Sequence, residues 1–356
     1  SLRLAIREEM IRDKKVFCIG EDIGIKGGFG GAFTVTLGLS EEFGHDRIVD
    51  TPISEIGIAG VAIGAALSGM RPIADVQYSD FLFCAMDQLA NQAAKLSFMS
   101  GGKLKVPMVM RAPGGATTRG SQHSQSLESY FIHVPGLKVA CPSNAYDAKG
   151  LLKTAIRDNS PVIFFEHKLL YGSKGNRSEK GSISPISEVP LYDYTIPFGK
   201  GKIKKKGTDI TLLGKLRTVY SAIEAANELE KQNISCEVID PRTLVPLDIN
   251  LIVKSVKKTG SLIIVDECTK TGGWAGEVAA SIQEKIFPFL KKPIIRIKAR
   301  EWWGEIDTLR TDPALGVSIL SLIHISEPTR PERIGYSGLW LEKKRGGGGG
   351  GGGGGG

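Results

Sequence analysis

The stretch RIVDTPISEIGIAGVAIGAALSGMRPIADVQ, residues 47–77, decides the fold. Arg47–Asp50 is a short apolar run that reads as a strand. Thr51–Met70 is very apolar and of helical length, and Ser54 or Thr51 can cap its first turn. Arg71–Gln77 reads as a strand again. Strand, helix, strand is the repeating unit of a parallel sheet with helices on its faces. Working outward, the same alternation predicts a helix at 2–13, a strand at 16–19 and a glycine-rich loop at 20–38. Beyond 77 it predicts a helix at 80–97, then strand 106–111, helix 126–132, strand 137–141, helix 145–157 and strand 161–165. Residues 171–207, rich in Gly, Ser, Lys and Pro, break the rhythm as a linker does. It resumes with strand 209–213, helix 218–231, strand 235–239, helix 249–257, strand 261–266, helix 275–290 and strand 293–298. The fold class predicted is therefore α/β, with two parallel-sheet domains at 1–170 and 208–319.

Composition narrows the class of molecule. The chain has 356 residues, 46 Lys+Arg against 38 Asp+Glu, and 41% hydrophobic residues, which suits a globular protein and excludes collagen-like and disordered readings. No run of about 18 uncharged apolar residues is present, so no membrane span is expected. The five cysteines are scattered without a CxxC pair and read as reduced core thiols, as in a cytoplasmic protein or an organellar matrix. Positive charge is spread thinly. Its one cluster, Lys202–Lys206, reads as a solvated linker rather than a nucleic-acid surface. Leu320–Gly356 stands apart. Its first residues resemble translated sequencing adapter, and it ends in eleven consecutive glycines, Gly346–Gly356, which bury nothing. This tail is read as non-native and is left out of the fold.

Three motifs could carry chemistry. Gly27-Gly28-Phe29-Gly30-Gly31 follows a strand, but Phe33 stands where a dinucleotide loop needs its third glycine. Glu55 is a lone carboxylate opening an apolar helix. It either offsets the helix dipole or is a desolvated group that shares a proton. His123, in Gln122-His-Ser-Gln125 after the glycine-rich 113–116, is either a surface histidine or an acid/base group.

Together the segments resemble a known family. Gly20-Glu21-Asp22, Asp50-Thr-Pro-Ile-Ser-Glu55, Gly69-Met-Arg-Pro72, Gln122-His-Ser-Gln125, Val134-Pro-Gly-Leu-Lys138, Pro161-Val-Ile-Phe-Phe-Glu166 and Asp240-Pro-Arg-Thr-Leu-Val-Pro-Leu-Asp248 are similar to the β subunit of the first component of 2-oxoacid dehydrogenases, of the pyruvate or acetoin type. The resemblance runs from residue 2 to about 298. It implies a thiamin-diphosphate pyrimidine-binding domain followed by a transketolase carboxyl-terminal-like domain. It implies Glu55 as the carboxyl group on the cofactor's pyrimidine ring, Phe81 as the aromatic against that ring's face and His123 as the group that handles substrate or a lipoyl group. Glu21 and Asp87 match acidic residues of a proton relay. Backbone carbonyls around 155–158 match a ring for a structural potassium ion. The magnesium site for the diphosphate needs a Gly-Asp-Gly, which this chain lacks. The resemblance therefore implies an α subunit that holds Mg2+ and the diphosphate, an α2β2 heterotetramer, and a lipoyl acyltransferase core as partner. A fragment of another transketolase-like enzyme and a non-catalytic scaffold are the competing readings. Residues 299–319 do not match the family's last layer, which puts docking of the core in doubt.

Overall fold

The computed structural model describes residues 1–297, apart from residues 26, 29, 118–119 and 172–185. The non-native reading of 320–356 and the mismatch at 299–319 lie outside the described residues.

The first sheet holds seven strands: β1 (Val16–Gly20), β2 (Ile48–Asp50), β3 (Arg71–Asp75), β4 (Val109–Gly114), β5 (Lys138–Ala140), β6 (Val162–His167) and, from far along the chain, β10 (Thr243–Val245). Their order is β10-β5-β6-β4-β3-β1-β2, and every pairing is parallel except β10 with β5. The second sheet holds β7 (Lys202–Lys205), β8 (Ile210–Gly214), β9 (Cys236–Asp240), β11 (Leu262–Val265) and β12 (Ile295–Ile297), in the order β12-β11-β8-β9-β7. Only β7 runs antiparallel, against β9.

The central strands are buried on both sides, as parallel strands covered by helices must be. Alternate residues separate two cores. Phe17 and Ile19 face α3 (Glu55–Leu67), while Val16 and Cys18 face α1 (Leu2–Arg12) and α6 (Ala145–Arg157). The first core continues into the second domain through Leu213, Ile239, Ile264 and Trp274. Four helices of that domain's surroundings complete the layers: α5 (Glu128–Ile132), α7 (Thr218–Glu230), α8 (Ile249–Thr259) and α9 (Trp274–Ile286). The remaining short helices are α2 (Leu39–Phe43) and α4 (Leu96–Met99).

The structure departs from the sequence reading in places. Residues 80–97 are not one helix. They form a 3-10 turn at Ser79–Phe83, a π-helical turn at Gln88–Ala93 and the start of α4. Lys202–Lys205, inside the stretch read as linker, is a strand. α9 stops at Ile286 because Pro288 cannot continue it, and a 3-10 turn follows.

Candidate active site

The residues singled out from sequence gather mostly where β1, β3, β4 and β6 end. The carboxyl edge of such a sheet is where its loops leave room for a ligand. Glu55 is the first residue of α3, and the Ser54 hydroxyl caps that helix by accepting the Gly57 N–H at 3.3 Å. Glu55 is half-buried, and among the described residues nothing hydrogen-bonds to its carboxylate. Glu21, just past β1, feels it. Burial pushes the Glu21 carboxyl up, and the negative charges of Asp22, Glu55 and Asp50 push it further. Four carboxyl groups thus crowd one edge, and the one that opens the helix has no donor among the described residues.

A second group is aromatic. Tyr78, Phe81 and His123 meet edge to face, with centroids 4.9 Å apart for Tyr78–His123, 5.4 Å for Phe81–His123 and 5.6 Å for Tyr78–Phe81. His123 ends the 3-10 turn Ser121–His123. Its loop is tied down twice. Asp80 accepts from the Gln125 amide N–H and side chain at 3.2 and 2.9 Å, and the Lys168 ammonium donates to the His123 carbonyl. That ammonium also lies 5.1 Å from the Tyr78 ring centre.

Gln77 joins the two groups. Its side chain donates to the Glu21 carbonyl at 3.1 Å, and its own N–H donates to Asp75 at 2.8 Å. Asp75 in turn pairs with Arg111, which also grips Glu166 with two bonds of 2.7 Å. Burial opposes the Arg111 charge, but Glu166 and Asp75 outweigh it and hold the guanidinium firmly protonated.

The second domain closes the floor. His167 and Glu267 meet at 2.9 Å, and Ser126 donates to Glu267 at 2.8 Å. The Leu169 N–H donates to His167 Nδ1, so Nε2 carries the proton that points at Glu267. Nearby, buried Lys215 lies 3.0 Å from Asp266 and 3.2 Å from Glu128. Burial works against its ammonium, but Asp266, Glu128 and Glu267 keep the Lys215 pKa well above the ordinary lysine value.

The structure brings Glu21 near Glu55 and Phe81 against His123. Asp87 is exposed and accepts from Asn91 at 2.7 Å. Two of the carbonyls in 155–158, those of Ile156 and Asp158, accept from the Arg71 guanidinium at 2.9 Å each. Sequence reasoning missed Gln77, Tyr78, Arg111 and Lys168. Arg111 left a signal: a lone charge inside Val106–Pro113, an otherwise apolar strand, must find a buried partner.

The fold and this edge define a protein of the transketolase class. Residues 1–174 match the family model "Transketolase, pyrimidine binding domain", and residues 199–305 match "Transketolase, C-terminal domain". The chain is 47% identical to the 2-oxoisovalerate dehydrogenase subunit beta of Bacillus subtilis over 83% of its own length and 87% of the relative's. It is 44% identical to the pyruvate dehydrogenase E1 component subunit beta of Rickettsia bellii, covering 85% and 88%. It is 46% identical to the acetoin:2,6-dichlorophenolindophenol oxidoreductase subunit beta of Cupriavidus necator, covering 83% and 87%. A split-gene transketolase, solved as an inactive beta4 tetramer, shares the fold with a TM-score of 0.70 at 21% identity, covering 91% of this chain and 94% of that one. The chain belongs to the β subunits of thiamin-diphosphate-dependent 2-oxoacid dehydrogenase first components.

Proposed function

We propose that this chain supplies the pyrimidine half of a thiamin-diphosphate site in an α2β2 enzyme that decarboxylates pyruvate or a related 2-oxoacid and passes the acyl group to lipoyllysine of an acyltransferase core. The observation that carries this reading is Glu55: half-buried at the start of α3, crowded by carboxylates, and without a hydrogen-bond donor among the described residues. A carboxyl group so placed fits a ring nitrogen that shares its proton. When bound, thiamin diphosphate supplies a carbon nucleophile, generated with the help of its own aminopyrimidine. Glu55 holds the proton at the ring nitrogen. Phe81 offers a flat apolar face that positions the ring without competing for that proton. His123, at the rim of the same aromatic cluster, gives or takes a proton at its imidazole as substrate or the lipoyl group arrives.

The chain has no Gly-Asp-Gly, so magnesium and the diphosphate fall to the α subunit. α3 suits a subunit contact beside Glu55: Ile56, Val61 and Leu67 are exposed on it, and Ile53, just before it, is 73% exposed. Asp87 and Glu21 are carried as relay groups on the family resemblance. A structural potassium ion ringed by backbone carbonyls around 155–158 is likewise carried on the resemblance; the Ile156 and Asp158 carbonyls there each also accept one N–H of Arg71. The enzyme would work in the cytoplasm of a bacterium or archaeon, or in an organellar matrix.

Acetoin cleavage is the second reading, favoured by the 46% identity to the Cupriavidus subunit. Co-expression with an α subunit and a panel of pyruvate, 2-oxoisovalerate and acetoin tests both. Thiamin-dependent turnover that is lost in Glu55→Gln supports the proposal. Unaltered turnover in that variant removes it, and turnover of acetoin alone replaces the first reading with the second.

A further inference from the structure

We propose that Arg111 is the positioning residue of this site, one buried guanidinium that fixes both the Glu21 loop and the aromatic wall carrying His123. This rests on the active-site reading above.

Arg111 sits in β4 with 1% of its surface exposed. It touches neither Glu55 nor His123, so it acts through others. One arm runs from its Nη1 to Asp75. The other oxygen of Asp75 accepts the Gln77 N–H at 2.8 Å, and the Gln77 side chain holds the Glu21 carbonyl at 3.1 Å. Gln77 adopts φ 54, a left-handed backbone that a side-chain-bearing residue keeps only when its surroundings impose it. The Asp75 carboxylate is that imposition, and it stays in place because Arg111 balances it.

The second arm runs through the paired bonds to Glu166. The Tyr171 hydroxyl donates to the same carboxylate. The Tyr171 ring stacks on Phe33 at 4.7 Å, Phe33 meets Tyr78 edge-on at 5.6 Å, and Tyr78 meets His123 at 4.9 Å. The planar guanidinium fork can satisfy two carboxylates at fixed angles. A lysine ammonium carries the same charge without that geometry.

The α2β2 complex carrying Arg111→Lys is the test. The Gln77 amide should exchange its hydrogen at least about tenfold faster in the variant, while amides of α8 keep wild-type rates. In the same variant kcat should fall about tenfold or more with substrate KM within about twofold, the pattern of lost alignment rather than lost binding. Tyr171→Phe keeps the ring and removes one hydroxyl. It should lower kcat about threefold and leave the Gln77 amide untouched, because it cuts only the second arm. Wild-type exchange at Gln77 in Arg111→Lys overturns the proposal, and so does loss of protection spread evenly over the first domain. If Arg111→Lys does not fold, wild-type kcat in Tyr171→Phe overturns it, and the selective fall in kcat sustains it. The exchange readout needs no substrate. It therefore stands even if Glu55→Gln proves fully active and the catalytic reading fails.

Discussion

His167 and Glu267, one hundred residues apart in the chain, meet at 2.9 Å where the two sheets face each other. His167 ends β6 of the first sheet, and Glu267 follows β11 of the second. The contact is buried on both sides. It joins the floor of the site to the second domain, and its electrostatics have a direction.

Burial opposes ionisation of Glu267, but His167, Lys215 and the Ser126 hydroxyl outweigh it and hold the carboxyl down at about 2. The unfolded chain, with an ordinary glutamate, binds that proton more readily. The contact therefore contributes stability that is complete above about pH 4.5 and is lost as pH falls toward 2, on the order of 3 kcal/mol. Urea midpoints measured between pH 5 and 2.5 should drop less in Glu267→Gln than in the wild-type chain. An equal drop in both would show that the pair does not govern acid stability.

Gly115 packs against this pair. It adopts φ +96, and a Cβ there would meet His167 Nε2 at 2.2 Å and Glu267 Oε1 at 2.9 Å. Gly115→Ala should cost roughly 2–4 kcal/mol through strain and displaced buried charge. A thermal midpoint within a degree of wild type would contradict this.

Glu55 and Glu21 repel each other, so Glu55→Gln should bring the Glu21 carboxyl back toward its ordinary value. Carbon-detected titration of the Glu21 carboxyl would register the change. The same variant should be at least as stable as wild type, because it removes a charge from a crowded edge and breaks no bond among the described residues. A less stable variant would mean that Glu55 holds the fold.

The Ser54 hydroxyl caps α3, whose first residue is Glu55. Ser54→Ala should lose about 1 kcal/mol in urea unfolding. If the cap orients Glu55, turnover should fall further than stability does, and glycine, which tolerates the cap conformation, should restore part of it. Equal turnover in all three chains would detach the cap from catalysis.

Much of this architecture could be read from residues alone. The helix at 145–157 and the strands around it follow from local periodicity, and α6 has those bounds. What escaped was non-local. Thr243–Val245 becomes a strand because Ala140 and Val139 lie beside it, a pairing across about a hundred residues that no local pattern encodes. The segment 80–97 has helical periodicity, yet Asp80 gives its carboxylate to Gln125, and the turn around Phe81 is drawn toward the His123 loop. Tertiary demand there overrides propensity. Glu55, Phe81 and His123 are named by family resemblance, whereas Gln77 and Lys168 enter only through contacts that folding creates.

Thr243–Val245 also limits how the gene can be cut. It caps the outer edge of β5, and it comes from the far half of the polypeptide. A fission placed between the halves would strip that edge and leave an open row of backbone donors and acceptors, an invitation to fibrous self-association. The pyrimidine-binding half is thus not a portable module, and fragments ending before Thr243 should precipitate rather than fold.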